Sequence, residues 1–325
     1  MKMRDTVILT HGDIDGIASA AILLRYLKVK MNLKDNDIEV EFTGPSALPE
    51  KLKELMNNKN VKKIYITDIS INVKNSENTK GIIKKLSSEG KRIVWMDHHQ
   101  WSAEDINEVM KSVDSIIVEK TPSAARIVYE KFMKEDEVSR KIAEYADDID
   151  ALTDKFNESF ILRALSFKNG WKEKLLIKFS NGIFWDEEIS REAEKIKRRT
   201  ERDVNEAYNK TRVYETKSGL RFGLIDLRGA KTPKSWLAKR VSEKFKLDFT
   251  MVWRKDDAIS LYIGDKSKNI NLLKIAEEFG GGGHPFACGF RMKLSWKSKI
   301  INYLTLKRKI LKEVEDVVKK TIELM

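Results

Sequence analysis

The 325-residue chain contains four histidines, and each stands within two residues of glycine or aspartate. His11 lies in Thr10-His11-Gly12-Asp13-Ile14-Asp15-Gly16, and His98 and His99 follow Asp97. His284 follows the run Gly280-Gly281-Gly282-Gly283. A lone acid, Asp68, closes the stretch Lys63-Ile64-Tyr65-Ile66-Thr67. Carboxylates and imidazoles without a thiolate suit hard-to-borderline divalent cations, Mn²⁺ or Mg²⁺ ahead of zinc. A cluster of such carboxylates repels itself, and bound cations remove that penalty. Five or six ligands exceed one ion's share from protein, which implies two metals, with a carboxylate such as Asp68 bridging them at roughly 4 Å. Such a pair activates water and clamps a phosphoryl group for in-line displacement. A single aspartate after a strand is ordinarily a turn or cap residue. The whole set, with its histidines, points to a site.

These residues need elements that bring them together. Thr6–Thr10, Ile38–Thr43, Lys63–Thr67, Ile93–Met96 and Ser115–Val118 read as short strands. Helical patterns separate them, near Ile17–Lys30, from Ala47 to before Asn57, and near Asn78–Ser88. This alternation predicts a doubly wound parallel sheet, an α/β fold. In such a sheet the carboxyl ends of adjacent strands face one crevice, so His11, Asp13, Asp15, Asp68, Asp97 and His98 can converge. Helices are expected at Ser123–Met133 and Val138–Leu152, the second carrying Asp147, Asp148 and Asp150. The charged stretch over 186–210 has only a thin apolar seam and reads as a helical linker. It divides a first domain over 1–185 from a smaller α/β domain over 211–325. Strands are expected there at Phe222–Asp226, Phe249–Trp253 and Ile259–Ile263, helices at Lys234–Phe245 and Leu272–Phe279, and one last amphipathic helix from Ser298 to the end. The stripe Ile300, Leu304, Leu311, Val314, Val318 and Ile322 defines that helix.

Composition narrows the function. The longest apolar runs fall short of the roughly 18 residues that read as a membrane span. One cysteine, Cys288, excludes an internal disulfide, and the first residues run straight into a strand without a signal-like start. A cytoplasmic protein is expected. The net charge is +12, from 62 Lys+Arg and 50 Asp+Glu. Residues 211–325 hold 25 basic and 13 acidic residues, so the whole excess lies in the second domain. That excess reads either as ordinary solvated surface or as a means of capturing a polyanion. The four glycines before His284 exceed what a helix C-cap needs and allow backbone amides to approach an anion closely. His11 to Gly16 lacks the three-glycine spacing of a dinucleotide-binding loop.

His11-x-Asp13-x-Asp15-Gly16, Asp68, Asp97-His98-His99 and Gly281-Gly282-Gly283-His284-x-x-Ala287-x-Gly289 together resemble the DHH phosphoesterases that carry a DHHA1 domain. These include RecJ-like exonucleases, NrnA-type oligoribonucleases and cyclic-dinucleotide phosphodiesterases. The resemblance implies that His11, Asp13 and Asp68 hold one metal. It implies that Asp15, Asp68, His98 and a later aspartate hold the second, Asp150 being the best match and Asp147 the fallback. Asp97 would orient an imidazole, His99 would face the scissile phosphate, and the nucleophile would be a metal-activated water. Gly281, Gly282, Gly283 and His284 would contact substrate. Family members often carry Ser-Leu-Arg-Ser before the glycine run, where this chain has Ser260-Leu261-Tyr262-Ile263. Tyr262 cannot pair a phosphate as a guanidinium does, but it can stack on a base. Arg254, Lys266 or Lys268 would then supply the charge. The implied substrate is single-stranded DNA or RNA, or short oligonucleotides, cut from one end. Alternatives are cyclic dinucleotides or phosphoadenosine phosphate as substrate, and a non-enzymatic scaffold among replication or repair proteins. Either a monomer or a homodimer fits this reading.

Overall fold

A computed structural model describes residues 4–72, 75–151, 153, 155–264, 270–305 and 309–325. Lys266, Lys268 and Leu152, named above, lie outside the described residues. The chain divides into two compact units, Met1–Ser190 and Arg191–Met325.

The first unit opens β1 (Thr6–Thr10), α1 (Ile14–Val29), β2 (Ile38–Phe42), α2 (Leu48–Met56), β3 (Lys63–Thr67), α3 (Ser76–Ser88), β4 (Arg92–Asp97), α4 (Ala103–Met110) and β5 (Ser115–Val118). It continues through α5 (Ala124–Phe132), α6 (Glu137–Asp150), α7 (Ser159–Ser166) and α8 (Trp171–Ser180). The five strands form one parallel sheet in the order β2-β1-β3-β4-β5. The order reverses between β1 and β3, and ligands of open α/β sheets bind at such a switch point.

Hydrophobic pattern explains the layering. β1 is buried along its whole length, as expected of a strand covered on both faces. Val7 and Leu9 meet Leu48, Leu52, Ile82, Ile83 and Leu86 from α2 and α3. On the opposite face α1 is buried from Ile14 to Leu24 and packs against α5, α6 and α8. Gly16 allows its first turn to tuck under the preceding chain, since a Cβ there would stand 2.2 Å from the His11 carbonyl oxygen. The Thr10 hydroxyl donates to the Gly16 carbonyl at 2.8 Å and accepts from Thr67 at 2.9 Å. These bonds tie the ends of β1 and β3 to α1.

The division between units falls inside α9 (Glu187–Lys210), so most of the helix read from sequence as a linker belongs to the second unit. That unit adds β6 (Thr211–Glu215), β7 (Arg221–Asp226), α10 (Lys234–Phe245), β8 (Phe249–Lys255), β9 (Ala258–Ile263), α11 (Leu273–Glu278), β10 (Gly282–His284), β11 (Ala287–Arg291), α12 (Trp296–Leu304) and α13 (Lys312–Leu324). Its mixed sheet has six strands in the order β10-β11-β9-β8-β7-β6. β6, β10 and β11 are not apparent from apolar runs because two are short or glycine-rich and β6 is half exposed.

The single terminal helix expected from sequence is instead two. Leu311 is the N-cap of α13. The stripe also fails across α12, whose buried residues are Ser298 and Asn302 while Ile300 and Leu304 are exposed. Polar anchors override hydrophobic period there: Asn302 accepts from Arg228 at 2.6 Å and Ser298 donates to Glu313 at 2.7 Å.

One ion pair fixes the helical layer behind the site. Asp136 caps α6 by accepting from the Ser139 amide, and takes a two-pronged contact from Arg25 of α1 at 2.8 and 2.9 Å. Arg25 also donates to the Ser180 carbonyl at the end of α8. The Arg25 hydrogen bond, first among the causes, holds the Asp136 carboxyl at about 2. A carboxyl held below its ordinary value stabilises the fold above that value and loses this stabilisation as pH falls through about 2. Asp136→Ala should therefore lower unfolding free energy by about 2 kcal/mol at pH 7. Chemical denaturation at several pH values checks this, with the difference from wild type shrinking below pH 4 and largely lost once pH falls below about 2.

Candidate metal centre

Three strand ends, the starts of α1 and α5 and the end of α6 supply the site. β1 delivers His11, and Asp13 caps α1 by accepting from the Gly16 amide at 3.2 Å. β3 delivers Asp68, whose φ of +55° lies in the left-handed region. Aspartate tolerates that region better than most residues, and strain of this kind concentrates at functional sites. β4 ends in Asp97 and hands the chain to His98 and His99.

Asp68 sits at the centre and is buried. Its Oδ2 lies 3.8 Å from His11 Nδ1, and its Oδ1 lies 3.7 Å from His98 Nε2 and 3.9 Å from His99 Nδ1. Oδ2 has no hydrogen-bond partner among the described residues. His11 Nδ1 also meets Asp13 Oδ2 at 2.7 Å. His98 Nε2 faces Asp15 at 3.5 Å and Asp150 at 3.6 Å as well. Three groups have ligand atoms all within 4.8 Å of one another: His11, Asp13 and Asp68; Asp68, His98 and His99; Asp15, His98 and Asp150.

Hydrogen bonds orient the imidazoles. His98 Nδ1 lies 3.3 Å from the Thr121 carbonyl, to which it donates, leaving Nε2 as the lone-pair nitrogen toward the acids. His99 Nδ1 donates to Asp97 Oδ1 at 2.8 Å, and Trp101 Nε1 donates to Asp97 Oδ2 at 2.7 Å. The imidazole that Asp97 orients is thus that of His99. Asp15 uses both oxygens to accept the amides of Ala124 and Ala125, at 2.7 and 2.8 Å, at the start of α5.

The three candidate acids of α6 separate clearly. Asp147 accepts from Ser123 at 2.6 Å and is paired with Arg126, while Asp148 accepts from Thr153, Ser159 and the amides of Lys155 and Phe156. Both are consumed by local structure. Asp150 reaches His98. Thr121, Trp101 and the amides of Ala124 and Ala125 carry no signal in the sequence, because they meet the acids and imidazoles only through the fold.

Burial pushes the Asp15 carboxyl up to about 7. Burial also raises Asp68 well above the carboxylate range, helped by the charges of Asp15, Asp13 and Asp97, and raises Asp150. His11 and His99 rise because each hydrogen-bonds a carboxylate, Asp13 and Asp97 respectively. For Asp13, burial raises the carboxyl, but the bond and charge of His11 outweigh it and leave a net lowering. A buried acidic cluster with imidazole nitrogens turned toward it is chemically suited to a divalent cation.

The residues proposed for substrate lie in the second unit. Gly280, at φ +68°, follows α11, and a Cβ on Gly281 would stand 2.3 Å from the Gly289 carbonyl oxygen. Gly283 has φ +136° and its Cβ would stand 2.8 Å from Cys288 Cα. Close pairing of β10 with β11 therefore demands glycine at Gly281 and Gly283, whereas Gly282 faces open space. His284 is exposed and its Nδ1 accepts from the Phe286 amide at 3.3 Å. Arg254 is near the end of β8 with a buried Nε, and the ring of Tyr262 leans on the cluster of Leu237, Val241 and Leu247.

The first unit is thus a parallel α/β domain with an acid-imidazole cluster at its switch point. Residues 5–150 match the DHH family, N-terminal domain. No curated protein matches the sequence. Among solved structures, a pGpG-specific phosphodiesterase, PggH from Vibrio cholerae, is similar with 15% identity and a TM-score of 0.57, over 93% of this chain and 98% of that one. CDC45 from Entamoeba histolytica shares 10% identity and a TM-score of 0.56, over 91% and 94%. RecJ from Thermus thermophilus, in complex with Mn²⁺, shares 14% identity and a TM-score of 0.51, over 94% of this chain and 52% of RecJ. These likenesses concern the fold. Among the described residues no helix is long and apolar enough to cross a membrane.

The raised acids predict a pH signature for metal-free protein. A carboxyl whose folded value lies above its unfolded value stabilises the fold below about pH 4 and loses that contribution as pH rises to about 7. Melting in EDTA should therefore give a lower Tm at pH 8 than at pH 5. Mn²⁺ should raise the Tm more at pH 8 than at pH 5, because ionised ligands bind cations better. An equal rise at both pH values would contradict metal binding at these acids.

Proposed function

We propose that the chain is a metal-dependent DHH/DHHA1 phosphodiesterase that hydrolyses single-stranded nucleic acid or short oligonucleotides from one end. One observation carries this reading: the two oxygens of Asp68 face two separate groups of ligand atoms. His11, Asp13 and Asp68 would hold one divalent ion, and Asp15, Asp68, His98 and Asp150 the other. Mn²⁺ is the first choice and Mg²⁺ the second. The donors fit such ions, and the partnerless buried oxygen of Asp68 is otherwise costly. When bound, the ions supply Lewis acidity toward a phosphoryl oxygen and activation of water near neutral pH.

The chain's own residues do the rest. Asp97, fixed by Trp101, holds His99 through Nδ1 and leaves Nε2 free to meet a phosphate. The bond to Asp97 raises the His99 pKa, which favours a protonated ring able to donate to developing charge or to the leaving oxygen. Thr121 keeps His98 in the tautomer that ligates. The basic second unit would hold the polyanion through Gly281, Gly282, Gly283, His284, Arg254 and Tyr262.

Two other readings keep specific support. Similarity to a pGpG-specific phosphodiesterase favours a dinucleotide substrate. Similarity to CDC45 is compatible with a scaffold role, against which stands the set of acids and imidazoles in this chain.

End-labelled RNA and DNA of 2 to 20 nucleotides, incubated with Mn²⁺, should yield a product ladder that EDTA abolishes. Asp68→Asn and His98→Ala should each slow hydrolysis by about 100-fold or more. Full Mn²⁺-dependent activity in both variants would overturn the assignment. Cleavage confined to dinucleotides would favour the small-substrate reading, and no cleavage at all the scaffold.

A further inference from the structure

One cation stands beside the acid cluster. Lys172 stands in the first turn of α8, just after Gly170, whose φ is +74°. Its side chain lies across Gly12, between His11 and Asp13. A Cβ on Gly12 would stand 2.2 Å from Lys172 Nζ, 3.0 Å from Cε and 3.4 Å from Cδ. Any other residue at position 12 would displace the lysine, so Gly12 makes room for it as well as for the turn. The ammonium is close enough to His11 to oppose its protonation.

Despite this setting, Lys172 forms no ion pair with a carboxylate among the described residues. Lys178 of the same helix, by contrast, bonds Asp186 and Glu188. Lys172 Nζ also lies 5.8 Å from the ring centre of Phe42. Phe42 is the last residue of β2, the edge strand, and stands in register with Thr10, the residue before His11. Its ring is half-buried. A primary ammonium and an aromatic face therefore sit side by side at the carboxyl edge of the sheet, flanking the cluster on its β2 side. Fixed cations capture phosphate oxygens, and aromatic faces accept nucleobases without regard to sequence.

The geometry points to a nucleotide subsite on the β2 side of the metal centre: Lys172 takes the phosphate next to the scissile one, and Phe42 stacks on the adjoining base. This rests on the phosphodiesterase reading of the cluster. It makes Lys172 a positioning residue for a substrate with more than one phosphate.

Two readouts test it. In steady-state hydrolysis of a short oligonucleotide with Mn²⁺, Lys172→Met should raise KM about tenfold with kcat changed less than about twofold. Lys172→Arg should recover most of the loss, and Phe42→Ala should raise KM about tenfold. In anisotropy titrations of a labelled oligonucleotide, with Ca²⁺ in place of Mn²⁺, Lys172→Met should reduce the slope of log K against log salt by about 0.7, one phosphate contact on a single strand. Melting should show the variants folded as wild type is.

Unchanged KM and salt slope in Lys172→Met would overturn the subsite while leaving the phosphodiesterase reading intact. A fall in kcat at constant KM would also overturn it, placing the lysine at the scissile phosphate. Binding with the predicted slope change but without hydrolysis by wild type would remove the enzymatic reading and, with it, a subsite placed beside a scissile phosphate. A wild type that neither binds nor cleaves would overturn both.

Discussion

Like charge held in a buried space is the constraint on which the first unit is built. Asp15 and Asp68 are both buried; burial raises both carboxyls, with a further push from Asp150 on Asp15 and from Asp15, Asp13 and Asp97 on Asp68. Such a cluster persists only if surrounding structure over-determines it. Here the determinants are a strained backbone at Asp68, two amides of α5 on Asp15, and a bond from His11 on Asp13. None of them neutralises Asp68 Oδ2. The fold holds a group of carboxyls whose ionised forms are unfavourable alone and suited to cations.

Architecture and chemistry are coupled through the sheet's switch point. β1 and β3 are adjacent although far apart in sequence, so His11 and Asp68 meet without either belonging to a contiguous motif. Asp150 arrives from a helix, and its place depends on how α6 is held. Asp136 and Arg25 tie the start of α6 to α1, while Asp147 and Arg126 tie its last turn to α5. Two of the helix's acidic contacts are thus structural so that a third acid can face His98.

Much of this was legible in the residues. The five strands of the first unit follow from short apolar runs ending in chemistry-bearing residues. The convergence of His11, Asp13, Asp15, Asp68 and His98 follows from a parallel sheet. The choice among Asp147, Asp148 and Asp150 was not legible, because it depends on Arg126 and Ser159, whose proximity only the tertiary fold creates. The glycine run was half legible. Pairing with β11 accounts for Gly281 and Gly283, so close approach there serves the hairpin, and only Gly282 is left without a structural demand. The end of the chain misled because a helical apolar period was continued through Leu311, whereas Arg228 and Glu313 hold α12 by its polar residues. Lys172 gave no signal in sequence, since one lysine among many is uninformative until it is found lying over Gly12.

The most direct measurement of the central claim is the stoichiometry of Mn²⁺ bound to the purified chain at pH 8, by calorimetric titration or by metal analysis after equilibrium dialysis. If Asp68 joins two ligand groups, wild type binds two ions per chain, and Asp68→Asn loses high-affinity binding at both sites. One ion per chain in wild type, or two retained in Asp68→Asn, would contradict the account.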